Sequence, residues 1–149
     1  MVDTPLTNTL GLGPIDQLGF VVPDLDIAMA NYAPLFGPWT LMDTDIEQAE
    51  YREQRHDCRL RIAFGNSGDL EIELIQPAGG IGPHQAFVDR GGNGPHHVRF
   101  RTDAIEEKAK LARALGYLPL WYKRFNPDLA FCYLHRENDP LVIELLQMA

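Results

Sequence analysis

Cysteine is scarce in this 149-residue chain: Cys58 and Cys132 are its two cysteines, and they form no Cys-x-x-Cys pair. That argues against a disulfide framework. Each stands in a strand-like apolar stretch, so both are expected as buried free thiols of an intracellular protein. Positive charge is also in deficit, with 13 Lys and Arg against 21 Asp and Glu for a net charge of −8. Without a basic face there is little to hold a nucleic-acid backbone. No run approaches the roughly 18 apolar residues that a membrane helix needs. Residues 1–13 carry neither the basic region nor the apolar stretch of a secretory signal. A soluble, cytoplasmic protein with no nucleic-acid or membrane partner is the expectation. At 45% hydrophobic residues, the chain can build a core without outside staples.

What is present is a duplication. Ile72-Glu73-Leu74-Ile75-Gln76 recurs as Ile143-Glu144-Leu145-Leu146-Gln147. Each copy closes a half that opens on a strand, Asp16-Gln17-Leu18-Gly19-Phe20 in one and His96-His97-Val98-Arg99-Phe100 in the other. Residues 1–13 read as a flexible leader and 14–149 as one domain of two modules, about 14–77 and 94–149. In the first module a strand over 15–22 ends at Pro23-Asp24, with Asp24 as a plausible N-cap for a helix over 25–36. A short strand near 39–42, a strand over 51–64, a turn at 66–69 and a strand over 70–76 follow. The linker 77–83 is turn chemistry, leading to a short helix over 84–90 and a break at 91–95. The second module repeats the order: strand 96–101, a helix over 104–115 stopped by Gly116, and strands near 117–122, 130–135 and 140–147. The helix is expected to bury Ile105, Ala109, Leu111, Ala112 and Leu115. The predicted fold class is α+β: two βαβββ modules forming a cup-shaped, curled mixed sheet with its helices outside.

Neighbouring residues on a strand face opposite ways. If Leu18, Phe20 and Val22, Ile72 and Leu74, Val98 and Phe100, and Ile143 and Leu145 pack on the helices, then Gln17, Glu73, His97 and Glu144 share the concave face. One imidazole, two carboxylates and an amide oxygen make a mixed N/O set suited to one divalent ion such as Zn²⁺, Co²⁺, Ni²⁺ or Mn²⁺. The plain alternatives are edge-strand carboxylates, a structural histidine and a glutamine that only hydrogen-bonds a neighbour. Arg59, Arg61 and Arg99 are placed on the same face by parity, where guanidinium groups would hold the carboxylate or phosphate of a small anionic substrate. They could instead pair with Glu71 and Glu53 or reach solvent. Tyr51, Tyr122, Phe131 and Tyr133 form either a hydrophobic wall or part of the core. His96 is read as helix-side and structural; His56, His84 and His135 are given no role.

Four phrases carry a resemblance that covers roughly residues 15–147. They are Ile15-Asp16-Gln17-Leu18-Gly19-Phe20-Val21-Val22-Pro23-Asp24-Leu25, Ile72-Glu73-Leu74-Ile75-Gln76-Pro77, Gly94-Pro95-His96-His97-Val98 and Ile143-Glu144-Leu145. With these the chain resembles the vicinal oxygen chelate superfamily, which includes glyoxalase I, methylmalonyl-CoA epimerases, bleomycin-resistance proteins and extradiol dioxygenases. The layout and the Gly-x-His-His phrase look most similar to the methylmalonyl-CoA epimerase branch. The resemblance implies paired βαβββ modules around one metal and a homodimer. The epimerase branch usually has His where this chain has Gln17, whereas Gln-Glu-His-Glu is the ligand set of zinc-type glyoxalase I. The glutathione-anchoring Arg and Asn of glyoxalase I would fall at Val21 and Pro77, and both are missing. An epimerase pattern has a catalytic Glu that aligns near Arg59 or Arg61, neither of which is a base at neutral pH. That leaves Glu73 and Glu144 as the carboxylates for proton transfer.

The activity expected is that of a metal-dependent epimerase or isomerase removing a proton alpha to a carbonyl of a small acid or acyl thioester. The alternatives are a glyoxalase I-like lyase, a non-catalytic binder such as the antibiotic-sequestering members, and an extradiol dioxygenase. Two His and one carboxylate around iron would suit the last, and Gln17 argues against it.

Overall fold

The structure, a computed structural model, describes residues 6–149. Four helices are α1 (Leu6–Leu10), α2 (Leu25–Phe36), α3 (Pro83–Asp89) and α4 (Ile105–Arg113). Eight strands are β1 (Gln17–Val21), β2 (Thr40–Tyr51), β3 (Gln54–Ser67), β4 (Leu70–Gly80), β5 (Gly94–Arg101), β6 (Leu118–Asn126), β7 (Leu129–His135) and β8 (Val142–Met148). They close into one mixed barrel in the order β1-β4-β3-β2-β6-β7-β8-β5. The two halves have the same internal order. β1 pairs parallel with β4, β5 pairs parallel with β8, and β1 and β5 join the halves antiparallel. At the far side β2 and β6 meet through two residue pairs, Glu50 with Tyr122 and Tyr51 with Trp121.

Local chemistry fixes the outer helices. Asp24 caps α2, its Oδ1 accepting the Ile27 amide at 3.0 Å, which satisfies one of the orphan donors of the first turn. Leu25 and Ala28 then bury against Phe20, Val22, Ala63, Ile72 and Leu74. Helix α4 buries Ile105 and Ala112 against Phe100, Ala130, Leu134, Ile143 and Leu145. Leu111 and Leu115, expected to be buried with them, are nearly half exposed; α4 ends at Arg113, and its narrow inward stripe leaves both outside. A third cluster fills the barrel interior, with Val21, Leu60, Ile62, Ile75, Trp121, Phe131, Tyr133 and Val142 at its centre. Both cysteines are buried free thiols, and burial raises Cys58 to about 11 and Cys132 to about 12. No helix among the described residues is long and apolar enough to cross a membrane.

Two expectations are corrected. The leader 1–13 is in part a docked helix, because Leu10 is 1% exposed and packs with Ile105 and Ala112; burying one leucine is enough to hold a single turn against α4. Residues 1–5 lie outside the described residues. The short strand near 39–42 and the region after it are a single 12-residue strand, β2, turning into β3 through Arg52 and Glu53, both with positive φ. Its sequence, with Asp43, Asp45, Glu47 and Glu50, hides the strand because most of it faces solvent and is held by the ladder to β3.

Candidate metal and acid–base site

Gly19 on β1 is paired with Glu73 on one side and His97 on the other, and Arg99 is paired with Glu144. This register carries the concave-face residues to one place. His97 Nε2 stands 3.1 Å from Gln17 Oε1, 3.2 Å from Glu73 Oε1 and 3.5 Å from Glu144 Oε1. His97 is fully buried, Gln17 is 1% exposed and Glu73 8%. Gln17 donates its amide N–H to Glu71 Oε1 at 2.7 Å, which turns its oxygen toward the imidazole. Gly19 makes room for the ring, since a Cβ there would lie 2.1 Å from His97 Cε1. Gly19→Ala is therefore expected to displace His97 and destabilise the fold by about 1–3 kcal/mol, the usual cost of overpacking. Denaturant midpoints check the second effect and divalent-ion retention the first.

Three acceptor oxygens converge on one nitrogen that carries at most one proton. A neutral imidazole can serve only one of them, so the array is short of positive charge. Donors about 2.0–2.2 Å from a common ion stand roughly 3.0–3.6 Å from one another, the spacing found around Nε2. Among the described residues no group of three or more His, Cys, Asp or Glu stands placed to hold a metal ion. The array is instead centred on His97 and includes an amide as its fourth member. Its donor chemistry and spacing fit a divalent ion that would be held by Gln17, Glu73, His97 and Glu144.

Burial, with Glu73 nearby, raises the Glu144 carboxyl to about 7, although His97 pulls the other way. The sign of the consequence for stability follows from proton counting. A carboxyl raised above its unfolded value holds a proton that the unfolded chain has already lost, so folding stability falls as pH rises from about 4.5 to about 7. In chelator-treated protein this loss from Glu144 runs against the gain from His84 and His96, which burial keeps neutral, so it is read as a difference from Glu144→Gln. Thermal scans of wild type and Glu144→Gln check this: the stability of wild type relative to the variant should fall between about pH 4.5 and about pH 7.

His97 Nδ1 lies 3.0 Å from His96 Nδ1, a contact that orients the His97 ring. His96 was expected on the helix side. The β1–β5 register instead skips it, pairing Gly19 with His97 and Phe20 with Pro95, and this bulge re-aims its ring. It meets His84, Phe87 and Tyr133, and burial lowers it to about 3.

The arginines divide. Arg99, 9% exposed, stands beside the array, donating to Asp16 Oδ1 at 2.8 Å and lying 3.5 Å from Glu71. Arg101 donates to Asp16 Oδ2 at 2.6 Å. Although burial opposes it, these bonds from Arg99 and Arg101 hold Asp16 below the usual carboxylate range. Arg59 and Arg61 are not in the site. Cys58, Leu60 and Ile62 face the interior, so parity turns both arginines outward, where Arg59 binds Asp45 at 2.7 Å and Arg61 lies 3.8 Å from Asp43. Arg59 lines a separate cleft of about 320 Å³ with Asp45, Glu47 and Asp57. Tyr51, Phe131 and Tyr133 pack in the interior cluster, while Tyr122 packs against the α4 cluster. Sequence reasoning missed Asp16, which precedes β1 and is bound by Arg99 and Arg101, whereas Glu71 was offered as a partner of the arginines and meets Arg99. It gave His84 no role and read Tyr133 only as wall or core; the Tyr133 hydroxyl and His84 Nε2 share a 2.9 Å hydrogen bond.

The barrel of paired modules defines the class, and the comparisons agree. The chain belongs to the Glyoxalase/Bleomycin resistance protein/Dioxygenase superfamily, whose family model matches residues 16–133. Among curated proteins it is 26% identical to the human mitochondrial methylmalonyl-CoA epimerase over 106 residues, covering 68% of this chain and 55% of that protein. It is 24% identical to the Bacillus subtilis protein YqjC over 94 residues, 63% of this chain and 61% of that one. The match thus spans little more than half the length of these relatives. The crystal structure of methylmalonyl-CoA epimerase from Mycobacterium tuberculosis superposes with a TM-score of 0.62 at 19% identity, covering 100% of this chain and 93% of that one.

Proposed function

We propose that this protein is a metal-dependent epimerase or isomerase that moves a proton alpha to the carbonyl of a small acid or acyl thioester. The convergence of Gln17, Glu73 and Glu144 on His97 carries this reading, and the epimerase names among the relatives favour a thioester. A bound divalent ion would supply charge stabilisation to the enolate oxygen as it develops. The residues supply the rest. Glu144, the carboxylate contributed by the second module, takes the alpha proton and can return one. Glu73, from the other module, is placed to serve the opposite face. Arg99, ordered by Asp16 and Glu71, anchors an anionic substrate group. His96 fixes the orientation of His97. A homodimer, as in the family resemblance, is part of the same proposal.

The test is deuterium incorporation at the alpha carbon in heavy water across acyl-CoA esters and 2-oxo compounds. Exchange on a thioester supports the reading; absence of exchange across the panel removes it. A glyoxalase I-like lyase is the second reading, favoured by the amide oxygen of Gln17 in the donor set. Val21 and Pro77 argue against its glutathione substrate. Turnover of the glutathione–methylglyoxal hemithioacetal, without thioester exchange, would decide for it.

A further inference from the structure

Helix α3 differs from α2 and α4 in lying on the concave side of the sheet. It connects β4 to β5, and His84 on it is 1% exposed, its ring set 5.0 Å from Trp121 and 5.7 Å from His96. Phe87 and Val88 follow it onto the interior cluster that holds Leu60, Trp121, Phe131 and Tyr133. Little within α3 itself holds it there. It has seven residues and no side-chain N-cap, and so short a helix does not support itself. Gly80 and Gly94 are held in the ladders to β3 and β1, but the connection between them carries no strand pairing, and Gly91, with φ of +88°, turns it at the C-terminal end of the helix.

Its one buried polar anchor is incomplete. His84 Nε2 bonds the Tyr133 hydroxyl, but His84 Nδ1 is buried with no partner, the one such side-chain atom among the described residues. Whichever nitrogen carries the proton, a polar atom stays unsatisfied, which weakens the seated state. Tyr133 in turn packs on His97, with ring centroids 5.1 Å apart, so the helix sits one ring away from the donor array.

We propose that α3 is a removable lid, latched by His84 to Tyr133, and that the apolar interior now filled by Phe87 and Val88 receives the short acyl group of the substrate when the lid lifts. The acyl assignment rests on the function proposed above; the lid itself does not. The space that Phe87 and Val88 would vacate, bordered by Leu60, Ile62, Trp121 and Phe131, suits a small hydrocarbon chain, and Tyr133 links it to His97 of the donor array.

Cys58 offers a way to lock the lid. A Cβ at Gly82 would lie 3.8 Å from Cys58 Cβ, within the span of about 3.5–4.5 Å that a disulfide bridges. In Gly82→Cys, oxidation should therefore staple α3 shut, and reductant should release it. Amide hydrogen exchange over residues 83–90 is expected to be at least tenfold slower in the oxidised form than in the reduced form or wild type. Acrylamide quenching of Trp121, read in a Trp39→Phe background, should fall in the oxidised form. Tyr133→Phe, which removes the latch bond, should speed exchange of the same segment about fivefold. Calorimetry with propionyl-CoA should show binding to the reduced form and none to the oxidised form. A Cys58→Ser background, which cannot form the bridge, should show no response to oxidation.

Exchange over 83–90 in wild type as slow as in β5 and β8, or equal propionyl-CoA binding in both redox forms, overturns the proposal. If neither form binds propionyl-CoA, the acyl assignment falls together with the thioester reading, and the exchange and quenching measurements decide the lid alone.

Discussion

His97→Ala is expected to abolish retention of a divalent ion after dialysis and to lower alpha-proton exchange at least about a thousandfold. The imidazole is the centre of the array, within 3.1–3.5 Å of all three oxygens, so no other nitrogen can take its place. Removing it also leaves two sparsely exposed carboxylates without their partner and opens a void above Gly19. A stability loss of about 2–4 kcal/mol should accompany the loss of metal. Metal analysis, exchange in heavy water and chemical unfolding measure the three effects separately. Stoichiometric metal in the folded variant would remove His97 from the ligand set and, with it, the proposed mechanism.

Glu144→Gln should separate chemistry from coordination. The amide keeps the shape and one donor oxygen but cannot accept an alpha proton at neutral pH. Exchange is expected to fall about 10²–10⁴-fold, the usual worth of a positioned general base, with metal still bound. Loss of metal and exchange together would assign Glu144 as a ligand alone. Unchanged exchange would move the base to Glu73. Because the substitution also removes a buried group that resists ionisation, the chelator-treated variant should be at least as stable as wild type above pH 7.

The metal-site candidates were legible in the sequence because β1, β4, β5 and β8 are interior strands with a helix-covered face. Phe20, Leu74, Phe100 and Leu145 mark that face, and period two then sends Gln17, Glu73, His97 and Glu144 to the other. The same rule failed for β3. Its alternation separates Cys58, Leu60 and Ile62 from Arg59 and Arg61 but does not say which set faces inward. Here the apolar set lines the barrel, and Ala63 packs with the α2 cluster while the two arginines meet the acids of β2. His96 was misplaced by the bulge between Gly19 and Phe20, which a strict alternation cannot foresee. His84 was passed over because linker chemistry on both sides made its segment look external. Its burial depends on Trp121 and Tyr133, which lie far along the chain in the second module.

The seam between β1 and β5 has a consequence for how the chain could be cut. Gln17 and Glu73 lie before the glycine-rich connection, and His97 and Glu144 after it. A chain severed there would give two fragments, each with half of the donors and a bare strand edge that only its counterpart matches. Reassembly of such a split protein would rest on edge pairing and, if the proposed donor set holds a metal, on that ion as well, so the zinc dependence of complementation would separate the two contributions.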